Sequence, residues 1–176
     1  MNQAAPFELA QRLFREGAAL GDVFAFISGL YFRGKIAYST AFGTPLVITA
    51  GRGLLPPETL ITIDDLRAIA AVPVDLAEPL YRKPLERDAL QLHRSLDPDC
   101  EVVLLGSLAT PKYLEPLIDI LGSRLMVPSE FVGLGDMSRG GLMLRCVRER
   151  RELSYIRASY EPKISKKRDS EPREPS

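Results

Sequence analysis

Cysteine, histidine and tryptophan are scarce in this sequence of 176 residues: it has two cysteines, one histidine and no tryptophan. Cys100 and Cys146 lie in separate predicted elements without a C-x-x-C neighbour, and the only histidine is His93. A zinc site needs three or four cysteine or histidine ligands at close spacing, so the composition argues against a metal site of this kind. No second histidine exists to activate a serine, which argues against a hydrolase triad.

The sequence also lacks an excess of charge of either sign and lacks a long apolar run. Lysine plus arginine equals aspartate plus glutamate at 23 each, whereas proteins that wrap duplex nucleic acid usually carry a strong basic excess. No apolar run approaches the roughly 20 residues that span a bilayer. The first residues lack the charged flank and apolar core of a secretion signal. We therefore expect a cytoplasmic protein that binds neither duplex nucleic acid nor membranes.

Four short, continuous apolar runs are the most informative feature that the sequence does contain. A turn with glycine follows each run, and helical patterns separate them. The runs are 23–27, 46–50, 102–105 and 125–127. Continuous apolar strands separated by helices are typical of a parallel sheet that is covered on both faces. The sequence therefore predicts a three-layer α/β fold of the flavodoxin or Rossmann type, with a mainly parallel sheet and helices on both faces.

A single domain over residues 1–158 is predicted, long enough to bury a sizeable core. Amphipathic patterns predict several helices, at 7–14, 31–38, from 63 onward, 85–96 and 110–121. The segment 138–156 fits a helix that begins at Ser138, which we prefer, or a hairpin that includes 153–156. Residues 159–176 are rich in proline, serine and charge, and are predicted to form a disordered charged tail.

The glycine turn after the second run offers an arrangement that suits an anion. Gly51 and Gly53 flank Arg52, so backbone N–H groups can approach a ligand closely while the guanidinium binds a phosphate or a carboxylate. The same residues also fit a tight turn with a solvent-exposed arginine. The turn is neither a Walker loop nor a dinucleotide fingerprint, because Gly-Lys-Ser/Thr is absent and Pro56–Pro57 interrupts the following segment.

The turn after the third run leads directly into a predicted helix. Gly106, Ser107 and Thr110 stand at this junction, where N–H groups and hydroxyls can hold an anion at the helix N-terminus. In the other interpretation, Ser107 or Thr110 only caps the helix. Both interpretations place these residues at the carboxyl end of a strand.

The segment after the fourth run carries the most varied chemistry. It has four glycines between 133 and 141, together with Asp136, Ser138 and Arg139. Asp136 could act as a general base or bind a ribose hydroxyl, and Arg139 could hold a phosphate. The alternative is a helix entry in which Asp136 interacts with the helix dipole.

The turn after the first run contains Ser28, and Tyr31 and Arg33 follow it. An aromatic ring beside two cations, Arg33 and Lys35, can stack a base and bind a phosphate. In the alternative, this segment is a helix whose apolar side chains enter the core while Arg33 and Lys35 are solvated.

Two short motifs in this chain resemble a family of small bacterial α/β proteins of unknown function. The motifs are F-R-x(4)-Y at Phe32-Arg33 and Tyr38, and A-x-x-G-L-L-x-P at Ala50, Gly53-Leu54-Leu55 and Pro57. The Gly133-Leu134-Gly135 turn is similar to a late glycine turn of that family. The resemblance covers about Gly29 to Pro57 and that turn, and it implies a layered flavodoxin- or Rossmann-like fold without implying a reaction.

The leading functional hypothesis is binding of a nucleotide, a nucleoside or another small phosphorylated ligand at the carboxyl edge of the sheet. Arg52 and Arg139 would bind the anion, and hydrolase or glycosyl-transfer activity would use Asp136 as the base. The competing hypothesis is a non-catalytic protein-interaction module. A closed polar cleft favours the ligand, and a flat exposed apolar patch favours the protein partner. The sequence identifies no cofactor and leaves enzymatic activity and oligomeric state open.

Overall fold

The computed structural model describes residues 4–106 and 111–159, and helices make up most of this part of the chain. The helices are α1 (Ala4–Arg15), α2 (Leu20–Phe42), α3 (Ile63–Ala70), α4 (Pro79–Ser95), α5 (Pro111–Leu121) and α6 (Asp136–Glu149). Single turns of 3-10 helix occupy Gly122–Arg124 and Ser129–Phe131. The sequence-based predictions of α1, α3, α4 and α5 are confirmed.

The strands are short and form three separate small sheets. They are β1 (Ala18–Ala19), β2 (Val47–Thr49), β3 (Gly53–Leu55), β4 (Leu60–Ile61), β5 (Val102–Val103), β6 (Leu125–Pro128) and β7 (Tyr155–Arg157). β1 pairs with β4 and β2 pairs with β3, both antiparallel, while β6 lies between a parallel β5 and an antiparallel β7. The prediction of a three-layer, mainly parallel, flavodoxin- or Rossmann-like sheet is therefore wrong. Without this sheet, the interpretation of the chain as a Rossmann-like nucleotide-binding protein has no structural basis.

The first predicted strand, 23–27, is part of helix α2. A short continuous apolar run has no period of its own, so it fits a buried helix segment as well as a buried strand. Val23 is buried whereas Phe26 and Ile27 are exposed, which is the pattern of a helix with one face on the core. Gly29 interrupts the helical backbone with φ 68° and ψ −148°, so the glycine turn that the sequence indicated is a break within a helix.

The second predicted strand exists as β2, but the chain turns straight back after it. Val47 pairs with Leu55 and Thr49 pairs with Gly53, which makes β2 and β3 an antiparallel hairpin. Gly51 and Gly53 have φ angles of 78° and 82°, values that glycine adopts at little cost. The paired glycines therefore serve a hairpin turn instead of a crossover to a parallel neighbour.

The third and fourth predicted strands are β5 and β6, and they are parallel as expected, with α5 as the connection. Of the two interpretations of 138–156, the preferred helix is confirmed as α6, while the end of the segment enters β7 beside β6. A ligand was expected at the carboxyl edge of a parallel sheet. In the described chain, β5 and β6 are the parallel pair, so this edge consists of the ends of these two strands.

Two groups of buried side chains form the core. The larger one, which includes Leu20, Ile61 and Leu85, lies among α1, α2, α4, α5 and the small sheets. The smaller one joins α2 to α6 through Tyr38, Phe131, Met143, Cys146 and Leu153. In residues 4–106 and 111–159, no helix is long and apolar enough to cross a lipid bilayer. Ser107, Thr110 and the predicted tail after residue 159 lie outside the described residues.

Candidate functional site

Helices α2 and α6 approach each other closely because glycine faces glycine where they cross. A Cβ atom on Gly34 would lie 2.8 Å from the carbonyl oxygen of Gly140, and one on Gly140 would lie 2.9 Å from the carbonyl oxygen of Leu30. Both distances are shorter than van der Waals contact, so any larger residue would force the helices apart. The close crossing brings side chains from one turn of each helix together.

Four polar or charged side chains meet at this crossing, which we name the α2–α6 cluster: Tyr31, Lys35, Asp136 and Arg139. Tyr31 and Lys35 are one helical turn apart on α2, and Asp136 and Arg139 share the first turn of α6. Residues three or four positions apart lie on the same face of a helix, which explains why each pair points into the crossing.

Arg139 is the buried member of the cluster, with 8% of its surface exposed. Its Nε and Nη2 donate to the carbonyl oxygen of Phe131 at 3.3 and 3.1 Å, and its Nη1 donates to Asp136 Oδ1 at 3.4 Å. The guanidinium also lies 5.6 Å from the centre of the Phe131 ring. Arg139 is thus occupied by protein groups, and it holds the segment before α6 in place.

Lys35 has a different environment. Its ammonium lies 3.9 Å from the centre of the Tyr31 ring, a cation–π contact. Burial lowers the pKa of Lys35, an effect that Asp136 opposes and Arg139 reinforces. Within residues 4–106 and 111–159, no carboxylate lies within 4.0 Å of this ammonium. Lys35 is therefore a half-buried cation without a directly paired anion in the described part of the chain.

The α2–α6 cluster carries a net positive charge. Lys35 and Arg139 contribute two cations against Asp136, whose side chain is 65% exposed and therefore well solvated. The cluster also adjoins the N-terminus of α6, where Gly135 is the N-cap and provides no side-chain hydrogen bond. Free N–H groups and the helix dipole add further positive potential there.

The end of β5 joins the same place through Tyr31. The hydroxyl of Tyr31 donates to the carbonyl oxygen of Leu105 at 3.1 Å, directly before Gly106. Burial raises the pKa of this phenol, and the nearby Arg139 opposes the rise. The structure therefore brings Tyr31 together with Asp136 and Arg139 and places the end of β5 beside them, whereas the sequence pattern predicts these residues in different turns.

Of the two cations that follow Tyr31 in the sequence, Lys35 lies in the cluster, whereas the predicted ligand-binding residue is Arg33. The signal that could have found Lys35 is its position four residues after Tyr31, on the same helical face. The side chain of Arg33 is exposed. Ser28 and Ser138 are likewise exposed, and within the described residues no side-chain hydrogen bond or ion pair joins Ser28, Arg33 or Ser138 to the cluster.

Arg52 does not belong to the α2–α6 cluster and has a partner of its own. Its guanidinium donates to Asp65 on α3. The backbone N–H of Thr62, followed by Arg52, lowers the pKa of Asp65 to about 2. Arg52 thus connects the β2–β3 hairpin to the N-terminus of α3. The expectation that it follows a strand parallel to the one before Asp136 is wrong, because β2 belongs to an antiparallel hairpin.

Two surface cavities of the described chain lie elsewhere. One, of about 530 Å³, is lined by α4 residues such as Leu90 and Arg94. The other, of about 570 Å³, is lined by α1 residues such as Glu8 and Arg15. No group of three or more histidine, cysteine, aspartate or glutamate side chains in the described ranges could hold a metal ion.

Comparison of the chain with protein-family models, with curated proteins and with solved structures found no match. The resemblance to small bacterial α/β proteins therefore stays a prediction. Any proposal about function has to come from the chemistry of the α2–α6 cluster and of the exposed surface.

Proposed function

We propose that the α2–α6 cluster binds the anionic group of a small ligand, a phosphate or a carboxylate, and that Lys35 is the residue that contacts it. The observation that carries the proposal is the half-buried Lys35 ammonium, which stacks on Tyr31 and has no carboxylate within 4.0 Å in the described chain. Burying a cation without a paired anion is costly, and a bound anion would offset that cost.

The neighbouring groups support a single anionic group as the ligand. Arg139 already donates to Phe131 and Asp136, so one cation remains available for a ligand. The uncapped N-terminus of α6 supplies N–H donors and positive potential beside it. One free cation with a few backbone N–H donors can bind one phosphate or one carboxylate. The ligand would therefore be held at the protein surface through its anionic group.

The role of Asp136 as a catalytic base remains part of the hypothesis and is not needed for binding. Its Oδ1 accepts from Arg139, and its side chain is mostly exposed. An exposed carboxylate next to an anion site weakens binding of that anion through repulsion. We therefore expect Asp136→Asn to bind the anion at least as well as the wild type, while losing turnover if the site is catalytic.

Lys35→Met is expected to lower the affinity for inorganic phosphate by about tenfold or more, because it removes a charge-assisted hydrogen bond worth about 1.5–3 kcal/mol. Methionine keeps the length of the side chain and removes a buried charge, so the melting temperature without phosphate should stay the same or rise. Isothermal titration with phosphate and with acetate, followed by thermal unfolding, measures both effects.

Lys112→Met is the matched control for this experiment. Lys112 also lies over an aromatic ring, with Nζ 5.4 Å from the centre of Tyr113, but it is not part of the α2–α6 cluster. The control should bind phosphate as the wild type does. Equal loss in both variants would indicate nonspecific attraction, and unchanged binding in Lys35→Met would refute the proposed contact.

A second candidate function is the protein-interaction module. The observation that favours it is the number of large apolar side chains that are exposed in the described chain, among them Phe7, Phe14, Leu60 and Met137. Exposed phenylalanines are uncommon on monomeric proteins when they lie on one face. This candidate concerns a different surface from the anion site, so the two functions do not exclude each other.

A further inference from the structure

Helix α1 has a second apolar face that points away from the core. Leu13 is buried on the inner side, whereas Phe7 and Phe14 are 66% and 64% exposed. The two phenylalanines are seven residues apart, which places them on one stripe of the helix, with Ala10 between them. A surface helix of a monomer normally carries one apolar stripe, so the outer stripe of α1 lacks a partner within the described chain.

Another exposed apolar side chain extends this surface at the end of α1. Leu60, on strand β4, is 69% exposed. Its Cβ lies 4.0 Å from the position that a Cβ on Gly17 would occupy, so it adjoins the turn that ends the helix. We name Phe7, Ala10, Phe14 and Leu60 the α1 outer face.

The charges beside the α1 outer face are arranged so that the face complements itself. Glu8 and Arg15 are also seven residues apart, and both flank the phenylalanine stripe on the same side. Within residues 4–106 and 111–159, neither takes part in an ion pair. When two such helices pair antiparallel about a two-fold axis, Phe7 of one meets Phe14 of the other, and Glu8 approaches Arg15 twice.

We propose that the α1 outer face binds a second copy of this chain in a two-fold antiparallel arrangement. This inference rests on the protein-interaction candidate and is independent of the anion site. Charge complementarity selects the occupant, because an acidic or a basic partner would leave either Glu8 or Arg15 opposite a like charge. A two-fold pairing satisfies both residues in both copies.

The expected dimer is weak and depends on concentration. A phenylalanine buries about 150–250 Å², and about a third of Phe7 and of Phe14 is already covered, so four of them with two leucines give an interface smaller than the roughly 1,200 Å² of the smallest stable complexes. We therefore expect dissociation in the micromolar range or weaker, together with a clear change of mass between dilute and concentrated samples.

Sedimentation velocity of the full chain from about 5 to 500 µM tests the proposal. The wild type should shift from the 19.5 kDa monomer towards twice that mass. Phe14→Glu should remain monomeric throughout, because it places a charge in the centre of the apolar contact. Since Phe14 is exposed, its replacement should leave the melting temperature and phosphate binding at their wild-type values, which separates this surface from the anion site.

Charge-reversal variants of Glu8 and Arg15 test whether the partner is a second copy of this chain. Glu8→Arg alone and Arg15→Glu alone should each weaken dimerisation by about tenfold, because each sets like charges against each other. The double variant Glu8→Arg/Arg15→Glu should dimerise as the wild type does. A wild type that stays monomeric at 500 µM, a Phe14→Glu variant that still dimerises, or a double variant without recovery would each overturn the proposal.

Discussion

Gly34→Ala is expected to lower the free energy of unfolding by about 3 kcal/mol or more, although alanine favours helices over glycine by about 1 kcal/mol. The added Cβ would lie 2.8 Å from the carbonyl oxygen of Gly140 and 3.0 Å from its Cα. Backbone atoms of a helix cannot rotate away as a side chain does, so α2 and α6 must separate. Urea unfolding at pH 7 measures the change.

Gly141→Ala is the control for this prediction. Gly141 is the next residue after Gly140 on α6, but no atom of the described residues, apart from its chain neighbours and the adjacent backbone of α6, lies within 4 Å of the position of its Cβ. Its replacement should stabilise the helix slightly or leave it unchanged. Equal stability of Gly34→Ala and Gly141→Ala would show that the two helices do not cross at Gly34. Phosphate binding should also be lost in Gly34→Ala, since the crossing assembles the α2–α6 cluster.

Gly53→Ala is expected to lower the free energy of unfolding by about 4 kcal/mol or to prevent folding. Gly53 has φ 82°, where an L-residue is strained by about 1–2 kcal/mol. Its Cβ would also overlap with Asp88 Oδ2 and would lie 2.7 Å from the carbonyl oxygen of Pro84. The clash displaces the Asp88 carboxylate, which accepts from the backbone N–H of Leu54 at 2.9 Å. The hairpin would thereby lose its contact with α4.

Gly122→Ala separates the strain of the backbone from the effect of the clash. Gly122 has φ 55°, and no atom of the described residues other than those of its chain neighbours lies within 4 Å of the position of its Cβ, so only the backbone strain applies. Gly122→Ala should lower the free energy of unfolding, measured in urea, by only about 1 kcal/mol. If Gly53→Ala were no more destabilising than Gly122→Ala, the close approach of the β2–β3 hairpin to α4 would be contradicted.

The helices could be predicted from the sequence because their apolar residues repeat with a helical period, as in α4. The sheet could not be predicted, because its prediction rested on continuous apolar runs that show neither a helical nor a strand periodicity. Val23–Ile27 fits a strand by composition, and its helical state follows from packing of α2 that only the folded chain provides. The sequence predicts β2 as a strand. Its antiparallel pairing depends on a hairpin turn at Gly51, and the sequence of this turn fits a longer loop equally well.

The candidate site was predictable in part. Tyr31, Asp136 and Arg139 stood out because each follows a glycine turn, and the structure brings them together for a different reason, the close crossing at Gly34 and Gly140. That crossing needs two glycines that are far apart in the sequence, and nothing in a single sequence links them. The sequence could not separate Lys35 from Arg33 as the binding cation, because the burial of Lys35 depends on this contact.

Carbon NMR of the lysine side chains, followed as a function of pH with and without phosphate, tests most directly whether Lys35 binds an anion. Burial lowers the pKa of Lys35 from the ordinary lysine value of 10.5, so without phosphate Lys35 should lose its proton at a lower pH than exposed lysines. Phosphate stabilises the protonated form, so its binding should raise the pKa of Lys35 and should weaken as the pH rises through that value. The account predicts a saturable upward shift of the Lys35 pKa as phosphate is added. A Lys35 pKa that phosphate leaves unchanged would contradict it.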